Sequence, residues 1–344
     1  MPVVPRIPLS VLDIAPVATG STPAQALGAT TELARHVERL GYRRYWLAEH
    51  HNLAYIAACT PPVLVGHVAS ATSRLVVGAG GVMLPNHQPL VVAEQFGTLA
   101  ALHPGRIDLG IGRAPGTDPI TAMALRRSPQ SLSDSDFPRQ IAELMRYFDA
   151  AADDPISAVP AAGNRPPIWI LGSSGYSAML AARIGAPYAF ANHLAAGDPR
   201  TAVDLYRKNF VPSPHLSRPQ VIVSVMAIAA ETDEKARWIA SSMGLLALLQ
   251  RTGDQRILLP SPEEAAARAY TADERAFVDG RIAAHWIGGP GTIESKATEL
   301  LTDTPVDEIM VFTLAHSLSD RMRSYELLAE IFGLTPEPDD GPSA

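Results

Sequence analysis

The sequence predicts an α/β protein of one architecture, a closed (β/α)8 TIM barrel with insertions after its fourth and seventh strands. Three observations predict it. Short apolar runs alternate with amphipathic stretches eight times along 344 residues. Runs such as VVGAGGVML and VIVSVMAIAA are apolar at nearly every position, as strands covered on both faces must be. Eight alternations in a chain of this length favour a closed barrel over an open doubly wound sheet.

The elements follow in order. IPLSVLD (Ile7 to Asp13) is the first strand, and Thr22-Pro23 supplies a cap and a first-turn proline for a helix. That helix turns Leu27, Thr30, Leu33, Ala34, Val37 and Leu40 to one side at a period near 3.6, and Gly41 ends it. RRYWLAE is the second strand, followed by a helix from Pro62 to Ala71. LVVGAGGVML is the third, with a helix opening at Pro89 and stopping at His103-Pro104-Gly105. RIDLGIG is the fourth. PIWILGSS, APYAFAN, VIVSVMAIAA and DEIMVFTL complete the set, with helices at Tyr176 to Ile184, Pro199 to Asn209, Asp233 to Leu249 and Leu318 to Phe332. A plain barrel needs about 250 residues. The surplus falls in Ala114 to Asp134, Ala151 to Arg165 and Gly244 to Gly289, and two of these excursions are expected over the active face. Residues 1–334 are expected to form the barrel domain, and the proline-rich acidic tail 335–344 to be disordered.

Composition narrows the function classes. A hydrophobic fraction of 47% with 18% charged residues is that of a globular chain. A net charge of −7 and a pI near 5.8 lack the basic footprint that nucleic acid requires. The partner expected is a small molecule. Cys59 is the single cysteine, so no internal disulfide or thiolate metal cluster is available. With no secretory leader and no apolar stretch long enough to span a bilayer, a cytoplasmic protein without membrane contact is expected.

In such barrels chemistry gathers at the C-terminal strand ends. There the sequence places Glu49-His50-His51, Gly80-Gly81, Gly112-Arg113, Gly172-Ser173-Ser174-Gly175 and Asn192-His193. Ser173, Ser174 and the amides opening the next helix suit a phosphate, and Arg113 can add a fork of donors. Gly80 and Gly81 let a flat ring approach the third strand. Strand alternation turns one of His50 and His51 inward and leaves open which. Adjacent histidines cannot both aim at one metal, so no metal site is expected. GIGRAPG superficially matches a dinucleotide turn, but Pro115 and Pro119 stand where its helix should begin.

WLAEHHN, VGAGGVMLPNHQP followed by Ala93-Glu94, HPGRIDLGIGRAPG and ILGSSGYSA, in that order and spacing, resemble the bacterial luciferase-like flavin-dependent monooxygenase and oxidoreductase family, over Leu9 to about Phe332. The resemblance implies FMN at the C-terminal rim, in reduced form as co-substrate. It selects His50 as the inward, catalytic histidine. Arg113, Gly172, Ser173, Ser174, Gly175 and Tyr176 become contacts of the flavin phosphate, and Gly80-Gly81 a non-prolyl cis peptide under the ring. Glu49, His51, Asn192 and His193 are left toward substrate. The true light-emitting subunits carry a reactive cysteine where this chain has Gly112, so the wider oxidoreductase branch fits better. No nicotinamide fingerprint is present, which points to a separate NAD(P)H:flavin reductase, and the family suggests a homodimer. Two alternatives stay open: a non-catalytic flavin-binding subunit, and an enzyme of the deazaflavin F420, whose acidic tail would call for basic residues beyond Arg126 and Arg127 in the excursion.

Overall fold

The computed structural model describes residues 4–126, 136–149, 155–194 and 197–335. Its strands are β1 Leu9–Asp13, β2 Arg44–Leu47, β3 Val76–Met83, β4 Ile107–Gly112, β5 Ile168–Gly172, β6 Tyr188–Phe190, β7 Val221–Ala229, β8 Trp286–Gly288 and β9 Glu308–Phe312. Each of β1 to β6 lies parallel to the next, β6 pairs with β7, β7 with β9, and β9 with β1. The ring is therefore a closed barrel of eight parallel strands, as the alternation predicts. β8 stands outside it, against the last residues of β7.

Helices α1 Pro23–Arg39, α2 Pro61–Ala71 and α3 Pro89–Leu102 follow the first three strands, and α4 Pro119–Arg126 and α5 Phe137–Phe148 the fourth. α6 Gly175–Arg183 and α7 Pro199–Asn209 follow β5 and β6. Between β7 and β9 come α8 Asp233–Gln250, α9 Pro262–Ala267, α10 Ala272–Ala283 and α11 Pro290–Asp303, and α12 Leu318–Phe332 closes the fold. The cap at Thr22 forms as expected, accepting from the Gln25 amide while the Gln25 side chain returns to the Thr22 amide.

One assignment is corrected. Asp233 to Leu249 was expected as the seventh barrel helix, with the excursion starting at Gly244. Instead α8 crosses the mouth, where Met243, Leu246, Ala247 and Gln250 face the central cavity, and α11 returns the chain to β9. The excursion thus begins at Asp233. The physical reason is that α8 is buried on several sides, including consecutive Ser242 to Leu246, whereas a surface helix buries one stripe. The described part of the stretch Ala151 to Arg165, residues 155–165, sets Pro160 and Ala161 against α3 at Gly97. The tail 336–344 and Arg127 fall outside the described residues, as does the side chain of Arg126. Among the described residues no helix is long and apolar enough to cross a membrane.

Inside the barrel, period-two alternation stacks Ser10 and Leu12 of β1 with Arg44, Trp46 and then Ala48 on the second strand's line. The lower layer is ionic. Arg44 donates to Asp108 at 2.5 Å and to Glu308 at 2.9 Å, Ser10 donates to Glu308, and the Trp46 and Trp169 indoles donate to Asp108 at 2.9 and 3.3 Å. Every charge there has a partner, which removes most of the cost of burying it. This layer is the floor on which the site stands.

Candidate active site

Above that floor lies a cavity of about 470 Å3, within the range of small-molecule sites. Leu12, Leu171, Met226, Phe312 and Leu314 give it apolar walls. Of the residues singled out from sequence, His50, Gly80, Arg113, Gly172, Ser173, Ser174, Tyr176 and His193 line it. Gly81, Gly175, Glu49, His51 and Asn192 are not on its surface. The excursions contribute Ala114, Gly116 and Phe137 from one side and Met243, Gln250 and Arg281 from the other.

The alternation that places Arg44, Trp46 and Ala48 inward carries on past the end of β2, so His50 reaches the cavity. Its Nδ1 lies 3.2 Å from the Gly116 carbonyl, which can only accept; Nδ1 therefore bears the proton and Nε2 is left as an acceptor. Burial lowers the His50 pKa from its ordinary value and favours this neutral form.

Glu49 and His51, expected toward substrate, turn away. Glu49 is fully buried and accepts from the Met83 amide at 2.9 Å and from Nε2 of His51 and of His87 at 2.8 Å each. Burial alone would raise its pKa, but the hydrogen bonds from His51 and His87 outweigh it and bring the carboxyl to about 2. This carboxylate ties the end of β2 to the end of β3 and so fixes the backbone that carries His50.

The ends of β4 and β5 carry the anion-binding features. Arg113 follows β4 and stands 4.8 Å from the centre of the Tyr176 ring. Ser174 caps α6 with extended backbone but makes no side-chain bond to the first-turn amides, so these remain open to a ligand. Gly172 has to be glycine, because a Cβ there would meet Ser177 Oγ at 2.1 Å. The Gly80–Gly81 peptide is cis. Gly80 faces the cavity, whereas Gly81 allows β4 to approach, since its Cβ would sit 2.7 Å from the Gly110 carbonyl oxygen.

His193 has a relay that sequence reasoning missed. Ser224 of β7 donates to the Phe190 carbonyl at 3.1 Å, so its oxygen accepts from His193 Nδ1 at 2.6 Å. Nε2 of His193 is again the free acceptor. Burial, with smaller contributions from His50 and His285, brings its pKa down to about 4. The signal was available: Ser224 is the one polar residue in VIVSVMAIAA. Arg281 and Gln250 gave no local signal, because their approach depends on how the excursion folds. Two neutral imidazoles, an open helix N-terminus with Arg113 beside it, and Arg281 from the excursion thus share an apolar chamber, an arrangement suited to holding a flat, phosphorylated molecule and moving a proton beside it.

The luciferase-like monooxygenase family model matches residues 8–308. The chain belongs to the luciferase-like monooxygenase family. Within it, a luciferase-like monooxygenase of Escherichia coli K12 is 43% identical over 326 residues, covering 94% of this chain and 97% of its own. The N-acetyl-S-alkylcysteine monooxygenase of Bacillus subtilis is 30% identical over 329 residues, covering 94% and 98%. The crystal structure of apo-MsnO8 superposes with a TM-score of 0.88 at 38% identity, covering 96% of this chain and 99% of that one. Each of these alignments runs over 94% or more of this chain.

Proposed function

We propose that the protein is a monooxygenase that takes reduced FMN and O2 and acts on a small organic substrate. The observation that carries this reading is Arg113 beside the open N-terminus of α6, at one end of an apolar chamber floored by Gly80 and faced by neutral histidines. The residues fit FMN. Ser173, Ser174, the first amides of α6 and Arg113 would hold the phosphate, and Gly80 leaves room for the ring. Reduced FMN supplies the two electrons with which O2 gives one atom to substrate and the other to water, and a separate NAD(P)H:flavin reductase would renew it.

What the chain adds is position and protons. Apolar walls exclude water from the reacting face. His50 Nε2, held as an acceptor by the Gly116 carbonyl, takes up or returns a proton. His193 Nε2 offers a second acceptor across the chamber. The substrate named for the Bacillus subtilis relative, an N-acetyl-S-alkylcysteine, is the first compound to try.

Titration of the purified protein with FMN, riboflavin and F420, followed by absorbance, tests the cofactor. FMN should bind best. Arg113→Ala should cost about 2–3 kcal/mol of FMN binding, the scale of a charge-assisted contact, and leave riboflavin, which lacks phosphate, nearly unaffected. Equal losses for both flavins would reduce Arg113 to a support of the fold.

A further inference from the structure

Arg281 is a cation that the flavin reading does not use. It lies near the end of α10, inside the excursion between β7 and β9, and lines the cavity from that side. Arg113 enters from β4, three strands away around the ring. Apolar Leu194, Met243, Leu246 and Ala247 line the same cavity as Arg281. Among the described residues Arg281 makes no hydrogen bond and no ion pair. Its position is nevertheless specified. Val278 and Ile282, on either side of it along α10, pack at Gly244 of α8, where an added Cβ would lie 2.7 Å from Val278 Cγ1 and 3.4 Å from Ile282 Cδ1. That approach lays α10 along the helix that roofs the cavity. His285 stands one turn further along: burial first, then the charges of Arg281 and Lys296, bring it to about 4, and among the described residues its buried Nε2 has no partner.

A guanidinium at an apolar mouth loses water when a ligand closes over it, and without a protein carboxylate it favours a ligand that brings an oxyanion. We propose that Arg281 anchors a carboxylate of the substrate, so that the enzyme selects organic anions with an apolar body. This rests on the reading of the chamber as a flavin and substrate site. The shared chemistry, an oxyanion on Arg281, has two sources: the substrate carboxylate, or the flavin's own phosphate.

The experiment separates them. FMN-loaded wild type, Arg281→Gln and Arg281→Lys are titrated by calorimetry with matched acids and primary amides: N-acetyl-S-benzylcysteine, octanoate, phenylacetate and their amides. The same variants are titrated with FMN and riboflavin, and circular dichroism checks folding. Wild type should bind at least one acid ten-fold or more tighter than its amide. Arg281→Gln should erase that preference, Arg281→Lys should keep part of it, and FMN affinity should stay within about two-fold. Equal binding of acid and amide, or no binding of any acid, overturns the proposal. A loss confined to FMN and absent for riboflavin overturns it too, because Arg281 would then serve the phosphate. Failure of wild type to bind FMN would instead sink the flavin reading, and the acid preference is then measured on the unloaded protein.

Discussion

His50 and His193 reach the same cavity by different means. The first rides the alternation of the second strand's line and is fixed by a carbonyl; the second is fixed by a hydroxyl whose own proton is committed to the Phe190 carbonyl. His50→Ala is expected to retain FMN but lose roughly 100-fold or more in substrate oxidation, the scale of general acid-base assistance. Single-turnover oxidation of reduced flavin with substrate present measures it, and unchanged kinetics would transfer the role elsewhere. Ser224 acts through His193 and is a positioning residue. Ser224→Ala removes an acceptor worth about 1 kcal/mol, enough to shift the tautomer ratio of His193 several-fold. Nitrogen-15 spectra of the histidines should show the Nδ1–H form in wild type, a mixture in Ser224→Ala, and recovery in Ser224→Thr. An unmoved His193 signal would leave Ser224 with only a packing role. The inward direction of His50 was legible because period two is a property of the chain itself. That Glu49 would turn into a buried hub was not, since its partners Met83 and His87 are more than thirty residues away.

Elements show where the sequence determines structure locally and where the fold does. α1 is written in its own residues: Thr22, Pro23, the buried stripe and Gly41. α5 was equally within reach through Phe137, Ile141, Leu144 and Phe148, though it is absent from the elements expected above. α8 was not, because a helix buried on several sides looks in sequence like any apolar helix, and only the path of the chain shows that it roofs the barrel. Two helical glycines separate local from tertiary control. Gly28 of α1 is exposed with nothing within 4 Å of an added Cβ, so Gly28→Ala should stabilise by about 0.5–1 kcal/mol through backbone entropy. Gly97 of α3 would put that Cβ 2.5 Å from the Ala161 Cα and 2.6 Å from its nitrogen, backbone atoms that cannot swing aside. Gly97→Ala should destabilise by about 1–3 kcal/mol despite the same helical preference. Urea unfolding of both variants checks the pair, and a stabilised Gly97→Ala would mean that residues 158–161 do not hold α3 as described.

At the scale of the molecule, buried ionisable groups make the folded state sensitive to acid in two stages. Burial depresses the pKa of His50, and brings His193 and His285 to about 4, from an ordinary value near 6.5. The unfolded chain therefore binds more protons than the fold between pH 6.5 and 4, and stability must fall as pH falls through that window. Glu49 works lower down: its carboxyl, brought to about 2 by His51 and His87 against its burial, contributes stability that is whole above 4.5 and lost as pH drops toward 2. His285 isolates the first stage, because it is 3% exposed, has no partner for Nε2 and lies outside the cavity lining. A depression of this size implies roughly 2–3 kcal/mol lost between pH 7 and pH 4.5 from this one residue. His285→Gln, which carries no titrating proton, should reduce the wild-type drop in unfolding free energy across that interval by this amount. Since the pI near 5.8 falls inside the window, urea titrations are compared at pH 7 and pH 4.5, on either side of the point of least net charge. Identical drops in the two proteins would show that His285 is protonated or hydrated in the fold.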